Sequence, residues 1–62
     1  MKVEGASFTV IGAARSGLAA ANYLARHGAL VRLVDHNGDL TRPDGLHPSV
    51  EFASGTNAVR VG

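Results

Sequence analysis

Gly12-Ala13-Ala14-Arg15-Ser16-Gly17 joins a short β-branched and aromatic run, Phe8-Thr9-Val10-Ile11, to an Ala- and Leu-rich stretch from Ser16 to Arg26. The first run fits a strand buried on both faces and stopped by a turn at Gly12. In the second, Leu18, Ala21 and Ala25 recur at helical spacing with Leu24 alongside, which predicts a helix. Gly28 suits the left-handed residue that ends a helix, and Arg26 and His27 suit the negative end of its dipole. Leu30-Val31-Arg32-Leu33-Val34 then reads as a second strand with Asp35 at its C-terminal edge. Two strands joined by a helical crossover must run parallel, with a right-handed connection. Ala19, Ala20 and Ala21 are small enough to let the helix approach the sheet closely.

Beyond Asp35 the character changes. His36 to Pro48 contains Gly38, Pro43, Gly45 and Pro48, too many breakers for a useful helix, and reads as a loop. Ser49-Val50-Glu51-Phe52 alternates polar and apolar and predicts a third, more exposed strand ended by Ser54-Gly55-Thr56. Asn57 to Gly62 is too short to decide between strand and helical turn. The expected class is α/β: a partial, Rossmann-like parallel sheet of order β-α-β-loop-β, part of a three-layer architecture.

The chemistry sits in the first turn. Strand, glycine-rich turn, helix, second strand and a terminal acid about 20 residues on is the context of the G-x-G-x-x-G nucleotide fingerprint, with Ala14 at the second glycine. Gly12 permits the tight exit from the strand, and Gly17 lets the helix pack against it. The helix start offers unpaired N–H groups and partial positive charge to a phosphate. Asp35 can accept hydrogen bonds from a ribose hydroxyl or a base N–H. A methyl at Ala14 disfavours the close approach of a dinucleotide diphosphate. Simpler roles stand beside these: Ser16 also suits a helix N-cap, Arg15 a solvated side chain, and the whole turn a purely structural βαβ corner.

Sixty-two residues, 45% of them apolar, with no Cys, leave room for about one incomplete domain. A chain this short buries only ~60% of its unfolded surface, and no disulfide or thiolate zinc site compensates. Six Lys+Arg against five Asp+Glu form no basic stripe for nucleic acid. The longest apolar runs fall far short of the ~20 residues of a membrane helix. Glu4 and Gly5 interrupt the apolar stretch behind Lys2, so the start reads as mature, cytoplasmic sequence. His27, His36 and His47 are spaced too widely for a helical metal pair, and nothing orients a Ser/His/Asp nucleophile. The lone lysine, Lys2, and the lack of a G-x-x-x-x-G-K-[ST] loop place any ATP chemistry outside this stretch.

Gly12 to Ala21, read as Gly-x-x-x-Ser-Gly-Leu-Ala-Ala-Ala, and Tyr23-Leu24-Ala25-Arg26-x-Gly28 resemble the amino-terminal lobe of the Mur ligase family. The resemblance continues through Val34-Asp35, Thr41-Arg42-Pro43-Asp44-Gly45-Leu46 and Ser54-Gly55, and is strongest to the D-glutamate-adding branch. It implies that residues 1–62 are the amino-terminal part of a UDP-sugar-binding domain, with the central ATP-binding and carboxy-terminal amino-acid domains lying outside. It further implies a diphosphate at Ala14, Arg15, Ser16 and Gly17, and uracil and ribose at Asp35, His36 and Asn37. The implied substrate is UDP-N-acetylmuramoyl-L-alanine, and the implied reaction of the intact enzyme, with ATP and Mg2+, is amide formation in peptidoglycan synthesis. No catalytic residue is assigned to this stretch. Two other readings remain open: the opening βαβ unit of an NAD(P)- or FAD-dependent oxidoreductase, and a noncatalytic nucleotide-sensing module.

Overall fold

The computed structural model describes residues 2–55. Strand β1 (Ser7–Ile11) leads through Gly12 into helix α1 (Arg15–Arg26), followed by β2 (Leu30–Asp35) and β3 (Glu51–Ser54). The three strands form one sheet in the order β1-β2-β3, with both pairings parallel as the crossover requires. Ile11 pairs with Val34 and Asp35 with Ser54, so the C-terminal ends of all three strands lie along one edge. The stretch Asn57 to Gly62, left open between strand and helical turn, lies outside the described residues.

Partners in a parallel ladder share a face, which sorts the side chains. Phe8, Val10, Val31, Leu33, Val50 and Phe52 belong with Ala21 and Ala25 of α1 to one apolar cluster. Leu33 on the central strand is fully buried there. The opposite face carries Thr9, Ile11, Leu30, Arg32 and Glu51, with Ile11 64% and Leu30 65% exposed. Burial of β1 on both faces is therefore not what the structure shows: β1 is an edge strand whose second face has no helix over it among the described residues. Of the three expected layers, the described residues build the sheet and one helical layer.

Helical geometry likewise corrects the alanine reading. Ala21 is buried against the sheet, whereas Ala19 and Ala20 are exposed, because a 3.6-residue period turns them away from it. The helix ends as its sequence anticipates. Gly28, at φ +88°, donates to the Ala25 carbonyl and Ala29 to that of Leu24, the paired bonds of a Schellman ending.

Residues 36–50 form no helix or strand. The segment is nonetheless held down: Asn22 of α1 donates through Nδ2 to the Gly45 carbonyl and accepts at Oδ1 from the His47 amide. The Arg42 guanidinium donates to the carbonyls of His47 and Val50, both at 2.7 Å, and Leu46 is buried beneath. Val50 N–H donates to the His47 carbonyl, so Ser49 and Val50 are spent in a turn. That is why β3 starts at Glu51, two residues later than the alternation predicts.

Candidate functional site

At the end of β1 the ladder continues one step further, with Gly12 N–H donating to the Val34 carbonyl at 2.7 Å. Gly12 then takes φ +102°, a conformation that side-chain-bearing residues rarely adopt, and the chain turns into α1. An added Cβ at Gly12 would meet nothing within 4 Å, so its requirement is conformational. Gly17 is the reverse case. Its backbone is ordinary, but a Cβ there would overlap the Gly12 carbonyl oxygen, with Val10 Cγ1 at 3.7 Å. The two glycines thus lock the turn against the first turn of the helix.

The residue before the helix is Ala14, with extended backbone (φ −68°, ψ 177°) and no side-chain cap. Ser16 is not the N-cap, since the cap is Ala14, two residues before Ser16, and the helix places Ser16 inside its first turn. The first intrahelical bond runs from Leu18 N–H to the Ala14 carbonyl. Among the described residues no side chain takes the N–H groups of Arg15, Ser16 and Gly17, and no acidic residue lies in this turn. Ala14, Arg15 and Ser16 are exposed, so this uncapped end faces solvent. Such an end attracts an anion through its free donors and its dipole.

Asp35 stands beside it, at the end of the neighbouring strand. Its carboxylate accepts from the Ala13 amide at Oδ2 (2.8 Å) and from the Asn37 amide at Oδ1 (2.9 Å). These contacts lower its pKa below the usual value, Ala13 contributing most, then Asn37, against a small opposing effect of burial and with help from the nearby His36. The exposed Asn37 side chain accepts at Oδ1 from the Asp39 amide at 3.0 Å, and His36 is exposed as well. The Asp35 carbonyl accepts from Gly55 N–H, which draws the end of β3 to the same edge.

The structure therefore brings Ala14–Gly17 and Asp35–Asn37 to adjacent strand ends. Spacing alone did not indicate that the Ala13 amide would bind Asp35. The pairing of Ile11 with Val34 supplies it, by setting the turn directly beside the next residue of β2.

A depressed carboxylate pKa links this contact to pH. Its stabilisation is present above the unfolded value, about 3.9, and is lost as pH falls through the lower folded value. In thermal melts, the Tm difference between wild type and Asp35→Asn should stay constant from neutral pH down to about pH 4 and close below it. A gap that widened on acidification would contradict the contact.

An open cavity of about 340 Å3 lies elsewhere, along Ser7, Thr9, Leu30, Arg32, Ser49 and Glu51, and touches none of the turn residues. No helix among the described residues is long and apolar enough to cross a membrane.

A curated UDP-N-acetylmuramoylalanine–D-glutamate ligase of Desulfovibrio desulfuricans is 60% identical to this chain over 35 residues, which are 56% of this chain and 8% of that protein. Over that stretch the chain is homologous to the ligase, in agreement with the Mur ligase resemblance of its motifs. The aligned part thus spans less than a tenth of the relative's length. No family model matches the chain. No solved structure matches it.

Proposed function

We propose that this chain holds the uridine diphosphate end of UDP-N-acetylmuramoyl-L-alanine, as the substrate-holding lobe of a MurD-type, D-glutamate-adding ligase in peptidoglycan synthesis. The observation that carries this reading is the uncapped start of α1 lying beside Asp35 on one sheet edge. The similarity to the Desulfovibrio ligase supports a nucleotide sugar among the ligands such an edge could take.

The diphosphate takes the N–H groups of Arg15, Ser16 and Gly17, with the Ser16 hydroxyl as a further donor and the Arg15 guanidinium adding positive charge. The uracil and ribose lie across Asp35, His36 and Asn37. A helix end at an exposed site contributes only about 0.3–1 kcal/mol. The turn alone would hold a diphosphate weakly, so useful affinity requires the nucleoside contacts as well. Anchoring the UDP end raises the effective concentration of the distant muramoyl carboxylate at the reacting centre.

The sequence carries no phosphate loop for ATP, and among the described residues no cluster of His, Asp or Glu could hold a metal ion. Its one lysine, Lys2, precedes β1, and the glycine turn lacks a Gly-Lys-Ser/Thr ending. In the proposed ligase, other domains would hold ATP and Mg2+, which would supply the activation of that carboxylate toward the D-glutamate amine. The lobe works in the cytoplasm, where the nucleotide precursor is made, with neither nucleic acid nor membrane as partner.

Calorimetric titration with UDP, UDP-N-acetylmuramoyl-L-alanine and NADH tests the reading. Both uridine nucleotides should bind and NADH should not. Tight NADH binding with no response to either uridine nucleotide would move the chain to the oxidoreductases.

A further inference from the structure

We propose that Asp35 is a positioning residue that straps the phosphate turn to the nucleoside loop, so that the two halves of the ligand site form and fail together. The inference rests on the nucleotide reading above for its ligand consequence, and on geometry alone for the strap.

Each carboxylate oxygen already has a backbone partner. Oδ2 holds the Ala13 amide, in the turn that leads into α1, and Oδ1 holds the Asn37 amide, in the loop after β2. One side chain thus joins two loops, beside the ladder bond from Gly12 N–H to the Val34 carbonyl of β2. The strap acts at the point of greatest leverage. Ala13 lies between Gly12, whose positive φ sets the direction of the turn, and Ala14, whose extended backbone aims the free N–H groups of α1. On the other side, the held Asn37 amide orients the loop in which Asn37 Oδ1 binds the Asp39 amide. The chain through Asp35 continues to β3, because its carbonyl accepts from Gly55.

The chemistry requires a carboxylate. Both groups facing Asp35 are N–H donors, so both positions must be acceptors. Asparagine offers one oxygen and one NH2 group, and the NH2 would oppose whichever amide it faced. A residue that only contacted the nucleoside would carry no such demand on both oxygens.

Two measurements decide the proposal. In amide NMR spectra of the full chain near pH 7, Asp35→Asn and Asp35→Ala should each shift the Ala13 resonance upfield and speed its hydrogen exchange, while the amides of Leu24, Ala25 and Leu33 keep their protection. An unchanged Ala13 amide would overturn the strap, whatever the chain binds. In parallel, inorganic pyrophosphate and uridine are titrated separately. The strap predicts that Asp35→Asn weakens both by roughly tenfold; loss of uridine binding alone would reduce Asp35 to a nucleoside contact and overturn the coupling. If wild type bound neither probe, the nucleotide reading would fall, and the Ala13 amide would still decide the strap.

Discussion

Replacing Gly17 with alanine should destabilise the chain by about 3 kcal/mol and, on the proposed function, abolish uridine-nucleotide binding at the turn. Two effects of opposite sign compete at this position. Alanine is the better helix former by about 1 kcal/mol, so propensity alone makes Gly17→Ala stabilising. The structure reverses the sign, because the new Cβ would overlap the Gly12 carbonyl oxygen. That atom belongs to backbone held by the Gly12–Val34 ladder bond, so no side chain can swing aside to relieve the overlap. The helix must move off the turn, which separates the free N–H groups from Asp35. Urea unfolding monitored by circular dichroism measures the loss. A variant as stable as wild type, or more stable, would place Gly17 away from the turn. Gly12→Ala is a useful comparison, since it meets no atom and pays only for its backbone conformation, about 1–2 kcal/mol.

The second large effect is expected at Leu33. Leu33→Ala should cost about 2–5 kcal/mol, enough to unfold most of the population of so small a chain. Leu33 is 0% exposed at the centre of β2, paired with Val10 on one side and Phe52 on the other, beneath Ala21 and Ala25 of α1. The neighbouring alanines have no side-chain length with which to fill the space, so the cavity would persist. Thermal unfolding reads the result. The expected trace has lost its cooperative transition, and a Tm within a few degrees of wild type would show that the core lies elsewhere.

The elements were legible because each carries a local signal. β-Branched and aromatic residues mark β1 and β2, the spacing of Leu18, Ala21 and Ala25 marks α1, and Gly28 marks its end. The errors have a common origin in packing. Ile11 and Thr9 look like buried strand residues, but β1 is at the edge of the three-stranded sheet and only Phe8 and Val10 face the helix. Ser16 has the right side chain for a cap, yet helical backbone already begins at Arg15. The breaker-rich loop gave no hint that Asn22 and Arg42 would fasten it, because those bonds join carbonyls and amides that have no residue-type signature.

The same division runs through the site. By itself the sequence determined the parallel βαβ order, the glycine turn at the head of α1 and the acid ending β2, because spacing, turn chemistry and strand propensity are local properties. Only the tertiary structure decided what that acid does. Register sets Val34 beside Ile11 and so brings Asp35 against the Ala13 amide, a contact between residues 22 apart in the chain. Strand pairing is non-local, and no pattern within either segment specifies which backbone amide a carboxylate will meet.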